Sequence, residues 1–136
     1  MRRSTLTAAL LCTLALPVAA QSALPKAVLD DTEALGTIAT LAPLCALRDD
    51  GWAEDLRRAT IQSATGTQAH DDTSLHDAPG SNVVASVLGD AEHEALETFT
   101  EEPGGKTCAK VAKDANLARA DNMVRAFRGG RITPAS

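Results

Sequence analysis

Aromatic residues are nearly missing from this chain, which has no tyrosine, one tryptophan (Trp52) and two phenylalanines (Phe99 and Phe127). Single-stranded nucleic acids are held on several flat rings, so this scarcity argues against such a ligand. The charge balance argues the same way, because 18 acidic against 13 basic residues leaves a formal −5 and a polyanion is held by an excess of cations. Cysteine is scarce as well, at Cys12, Cys45 and Cys108. No Cys-x-x-Cys pair occurs, which argues against a redox-active dithiol and against the usual zinc spacings.

Catalytic motifs are missing too. The chain has no His-Glu-x-x-His, no Asp-x-Asp-x-Asp-Gly calcium loop and no Asn-x-Ser/Thr acceptor. Pro103-Gly104-Gly105-Lys106-Thr107 resembles the end of a phosphate loop, but it follows a predicted helix where such loops follow a strand. Ser74, His76 and Asp77 are loop neighbours, an arrangement that rarely builds a nucleophile–base–orienter triad. Glu94 with Glu101, or Glu101 with Glu102, are carboxylate pairs in equally solvated settings, whereas catalytic pairs need contrasting environments. These absences predict a protein that is not an enzyme.

The N-terminus is the most informative part that is present. Arg2 and Arg3 lead into an apolar run from Leu6 to Leu16, and Pro17-Val18-Ala19-Ala20 supplies small residues before Gln21. This three-part layout predicts a secretory signal peptide over residues 1–20, cleaved after Ala20. The run is too short to span a ~30 Å hydrocarbon layer, so no stable membrane insertion is expected after cleavage. Leu11 precedes Cys12 where a lipoprotein signal needs a small residue. Cleavage removes Cys12 with the leader and, by taking Arg2 and Arg3, moves the formal charge from −5 to −7. The expected location is periplasmic or secreted. In that oxidising setting the remaining pair, Cys45 and Cys108, is expected to form a disulfide. A closed loop of about sixty residues stabilises a fold by about 4 kcal/mol in the chain-entropy account.

Alanine and leucine dominate residues 21–128, and no segment alternates between apolar and polar. The expected fold is a single all-α domain, a small four-helix (or irregular helical) bundle with the inter-helix disulfide Cys45–Cys108, followed by a flexible tail over 129–136. A first helix is expected from Asp30 or Asp31, whose carboxylates suit an N-cap. Leu35, Ile38, Leu41 and Cys45 form its apolar face, and Pro43 predicts a kink or break. Asp49-Asp50-Gly51 caps a second helix with Trp52, Leu56, Ala59 and Ser63 on one stripe and Gly66 at its end. Ile61 falls off that stripe and predicts partners on two sides. Residues 67–80 read as a polar connection without periodicity. Ser81 or Asn82 is expected to cap the third helix, with Val84, Val87, Leu88, Ala91, Ala95 and Phe99 facing inward. A last helical region, divided near Lys113-Asp114, turns Leu117, Ala120, Val124 and Phe127 inward and closes at Gly129-Gly130.

Charge is unevenly distributed. Residues 81–102 carry six acids and no lysine or arginine, while residues 103–136 carry seven bases against Asp114 and Asp121. The short Pro-Gly-Gly link predicts that the acidic and basic helices lie side by side; the alternative is a basic stripe for an anionic partner. Asp90, His93 and Glu97, three and four residues apart, project from one helix face, and His70 and His76 with neighbouring acids lie in the preceding loop. One reading is a solvated acidic face; the other is weak binding of Zn²⁺ or Cu²⁺ by His70, His76, Asp90, His93 and Glu97. Trp52 reads as an anchor of the aliphatic core, or as a receiver of anionic or aromatic groups beside Arg48 or Arg57. Two functions follow: a non-catalytic binding or accessory protein of the bacterial cell envelope contacting an envelope protein partner, or a periplasmic divalent-metal-binding protein.

Overall fold

The computed structural model describes residues 24–67, 72–102 and 105–131, with only the backbone of 72–74. The leader (1–20), His70, Pro103, Gly104 and the tail from Ile132 lie outside the described residues. Among the described residues there are six helices and no strands. These are α1 (Lys26–Leu44), α2 (Asp50–Thr65), α3 (Asp72–Asp77), α4 (Ser81–Glu101), α5 (Gly105–Ala112) and α6 (Ala115–Arg128). The four long helices make the bundle, and α3 and α5 are short additions to it.

Helix α1 is central. Thr32, Leu35, Gly36, Ile38 to Ala42 are buried on it, so it is covered on nearly every side. Its buried hydroxyls are satisfied within the helix, Thr32 Oγ1 donating to Val28 O (2.7 Å) and Thr40 Oγ1 to Gly36 O (3.0 Å). It begins a turn earlier than Asp30. Pro25 takes the cap position without a side-chain bond, and its carbonyl accepts from the Val28 and Leu29 amides. The two aspartates are used otherwise, Asp30 pairing with Lys26 (2.5 Å) and Asp31 with Arg119 on α6. Pro43 is accommodated in the last turn, and α1 stops at Leu44. The Leu47 amide reaches back to Ala42 O and that of Ala46 to Pro43 O (both 2.9 Å). This is a Schellman ending, with Ala46 at φ 55° in the position that usually holds glycine.

Five residues later α2 starts on Asp49, whose carboxylate accepts from the Trp52 amide (2.7 Å), and it ends at left-handed Gly66. Leu56, Ala59 and Trp52 join the main core with Leu35, Ile38, Leu117 and Val124. Ile61 joins a second cluster with Leu75, Val84 and Leu88, so α2 does meet partners on two sides. Part of the polar connection, residues 72–77, is helical although it shows no periodicity. This helix, α3, is held down by Leu75 and followed by buried Ala78. Neither Ser81 nor Asn82 caps α4: Gly80 takes the cap position at φ 82°, and the Ser81 hydroxyl donates to His76 O (2.5 Å). The last helical region divides as expected, because Asp114 caps α6 by accepting from the Asn116 amide (2.8 Å).

The α1–α4 contact is the most extensive in the bundle, and Gly36 explains why. A Cβ there would lie 3.0 Å from Ala91 Cβ and 3.2 Å from Leu88 Cδ2, so the two backbones approach through a position with no side chain. Both α2 and α6 also pack on α1. The acidic α4 and the basic α6 share no substantial contact, which corrects their expected side-by-side pairing. Both pack on α1 and α2, where Glu92 of α4 meets Arg57 and where Arg119 and Arg128 of α6 meet Asp31 and Asp55. Cys45, just after α1, is bonded to Cys108 on α5 (Cα–Cα 5.4 Å).

Candidate functional site

The residues singled out for metal binding are only partly brought together. His70 lies outside the described residues. Asp90, His93 and Glu97 are all exposed on α4, with His93 Nε2 3.2 Å from Glu97 Oε1. His76, on α3, lines a different surface, a cleft whose walls include none of those three. Among the described residues no three His, Cys, Asp or Glu side chains stand close enough to hold one ion.

Trp52 is an anchor of the core, and the anion it receives belongs to its own chain. The indole is 6% exposed, and its Nε1 donates to Asp121 Oδ1 on α6 (3.0 Å). Arg48 completes the arrangement with a two-pronged bond to the same carboxylate, Nε to Oδ1 (2.8 Å) and Nη2 to Oδ2 (2.6 Å). Its guanidinium carbon lies 5.8 Å from the centre of the indole ring, within cation–π range. The hydrogen bonds from Arg48 hold the Asp121 carboxyl below the usual carboxylate range, helped by the charges of Arg48 and Arg125 and by the indole N–H. The same bond raises Arg48. With donors and acceptors paired inside the protein, this cluster is a structural clamp between the α1–α2 turn and α6.

A furrow between α2 and α4 is the larger feature. Both helices rest on α1, but they contact each other far less than either contacts α1, so they splay above it. At one end the opening is about 580 Å³, with Ala39 and Thr40 of α1 as its floor and Pro43, Leu44, Ala53 and Leu96 on its sides. At the other end a second opening of about 270 Å³ is lined by Ile61, Leu75, Ala85 and Leu88. Glu54, Arg57 and Glu92 border both. Arg57 Nε donates to Glu92 Oε1 across the furrow, forming a waist between the two ends. Around the waist Glu54 approaches Arg57 (3.9 Å) and Arg58 (3.4 Å), so these charges are largely balanced.

Leu44 and Leu96 flank the larger opening and are 42% and 47% exposed. They are two of the three large apolar side chains left open to water among the described residues, the third being Val83. Neither leucine belongs to a metal-ligand pattern or to an apolar stripe in the sequence. A signal was present: Leu96 lies next to Ala95 but off the Val84/Leu88/Ala91/Ala95 stripe, so a helix packed on one side leaves it outside. Comparison with protein-family models, with curated proteins and with solved structures finds no match to this chain.

Proposed function

We propose that this is an exported, non-catalytic binding or accessory protein of the bacterial cell envelope, acting on another protein through the α2–α4 furrow. The observation that carries the reading is the pair Leu44 and Leu96, exposed at the mouth of a furrow floored by Ala39 and Thr40. Exposed apolar side chains gathered at one concavity mark contact surfaces more often than scattered ones do. Export is supported by the leader layout of residues 1–20 and by the single bonded cysteine pair in the remainder, since such bonds persist in oxidising compartments.

Site-directed photo-crosslinking in the producing cells tests both parts. A crosslinking residue in place of Leu96 is expected to give a discrete adduct in the periplasmic or secreted fraction, on a chain beginning at Gln21. The same residue in place of Ala118, exposed on α6 and outside the furrow, is expected to give none. Recovery of an uncut chain in the cytosol removes the export reading, and equal labelling at both positions removes the furrow as the contact surface.

A further inference from the structure

We infer that the furrow takes a basic amphipathic helix of another protein, with its apolar side chains between Leu44 and Leu96 and its cations toward Asp50 and Glu54. This rests on the reading of the furrow as a contact surface and adds the chemistry of what it contacts.

Two physical arguments select that occupant. The first concerns the backbone. A peptide bound in extended form gains most from pairing its N–H and C=O groups with a sheet edge, and the described residues contain no strand. The main-chain groups of α2 and α4 are bonded within their own helices, apart from the ends. An extended segment would leave its polar backbone unpaired against Ala39, Ala53 and Leu96. A helix satisfies its own backbone and presents side chains alone. Lying in the furrow, it would pack against two splayed helices as a further member of the bundle.

The second concerns charge. At the larger opening the bordering charges are Asp50, Glu54 and Glu92 against one cation, Arg57, and Arg57 is already bonded to Glu92. Asp50 is therefore left over at the rim, and Glu54 shares only longer contacts, at 3.9 and 3.4 Å, with Arg57 and Arg58. From α4 only Glu92 and Leu96 line this opening, so Asp50 and Glu54 set the sign of its rim. An acidic peptide would face like charge there, while a lysine-rich helix face meets its complement.

The test uses the protein recovered from the producing cells and fluorescein-labelled synthetic peptides of about 16 residues, which as a helix matches the length of α2. One peptide places leucines on one face and lysines on the other; a second replaces the lysines by glutamates; a third has the first composition scrambled out of helical phase. Fluorescence anisotropy is expected to show saturable binding of the first alone. Leu44→Ser with Leu96→Ser should weaken it by about tenfold or more through lost apolar burial. Asp50→Asn with Glu54→Gln should weaken it by about threefold to tenfold. Both pairs of positions are exposed, so unchanged thermal melting shows that loss of binding is not loss of fold.

Equal binding of the scrambled peptide overturns the inference, because attraction to net negative charge alone would account for it. So does preference for the glutamate peptide, or indifference to the leucine substitutions. Sedimentation of the protein alone as a dimer that the same leucine substitutions dissociate makes the occupant a second copy and also overturns it. A crosslinked adduct at Leu96 without selective binding of the leucine–lysine peptide leaves the furrow as the contact surface and rejects only the basic helix. Absence of any adduct rejects the contact surface itself.

Discussion

Three donors converge on the Asp121 carboxylate, Nε and Nη2 of Arg48 and Nε1 of Trp52. Two of them are charge-assisted and form a planar fork, the geometry in which arginine outperforms lysine. The residues come from the turn after α1, the first turn of α2 and the middle of α6, so one carboxylate joins three separate stretches of chain. Asp121→Asn keeps the shape, loses the charge and turns one of the two acceptor oxygens into an NH2 donor, so the Arg48 fork keeps a single neutral acceptor; it is expected to destabilise the fold by about 1–2 kcal/mol at neutral pH. The folded carboxyl titrates below its unfolded value of about 3.9. Its contribution is therefore present above about pH 4 and is lost as the pH falls through the folded value. Urea midpoints of the two proteins should differ at pH 7 and converge as the pH drops below about 4. A gap that stays constant down to pH 2 would show that the Arg48–Asp121 charge pair does not stabilise the fold.

At the scale of elements, glycine position decides how α4 lies. Gly36 and Gly89 are both in helices, where replacing glycine by alanine alone gains about 1 kcal/mol. A Cβ on Gly89 has open space around it, whereas one on Gly36 meets Ala91 Cβ at 3.0 Å. Ala91 has no flexible end that can swing aside, so α4 itself must shift, at a typical overpacking cost of about 1–3 kcal/mol. The same substitution is expected to have opposite signs, Gly89→Ala raising the urea midpoint and Gly36→Ala lowering it. Similar gains at both would mean that α1 and α4 can separate freely. This close approach was not legible in the sequence, where Gly36 is one small residue in an alanine-rich helix. What was legible is local physics. Asp49 and Gly66 delimit α2 because an N-cap acceptor and a left-handed position are read within a few residues. The split at Asp114 and the off-stripe Ile61 were legible for the same reason. Asp30, Asp31 and Ser81 misled because each found a partner across the structure or in the preceding turn. The furrow was illegible because it arises from how far apart α2 and α4 sit, and no periodicity records that distance.

Over the whole molecule the same distinction governs charge. The acidic stretch 81–102 and the basic stretch 103–136 are complementary in sequence, yet α1 and α2 supply their partners: Arg57 for Glu92, Asp31 for Arg119 and Asp55 for Arg128. While α6 packs on both α1 and α2, α5 has substantial contact only with α1, so a covalent tie becomes important for α5. Cys45–Cys108 spans 63 residues and fastens α5 to the end of α1, while α5 itself buries only Thr107 and Val111. Closing a loop of that length removes unfolded-state entropy corresponding to about 4 kcal/mol. The core of Leu35, Ile38, Leu56 and Val124 does not include either cysteine, so the reduced chain should still fold at low temperature. Reduction, or Cys45→Ala with Cys108→Ala, is expected to leave the helical circular dichroism at 10 °C nearly unchanged. The melting temperature should fall by about 15 °C, with amide exchange in α5 rising before that in α1. A reduced protein that melts at the same temperature would place the stability of α5 in its few side-chain contacts. One that unfolds outright would make the bond a condition of folding, and folding would then depend on the oxidising compartment to which the leader is proposed to direct the chain.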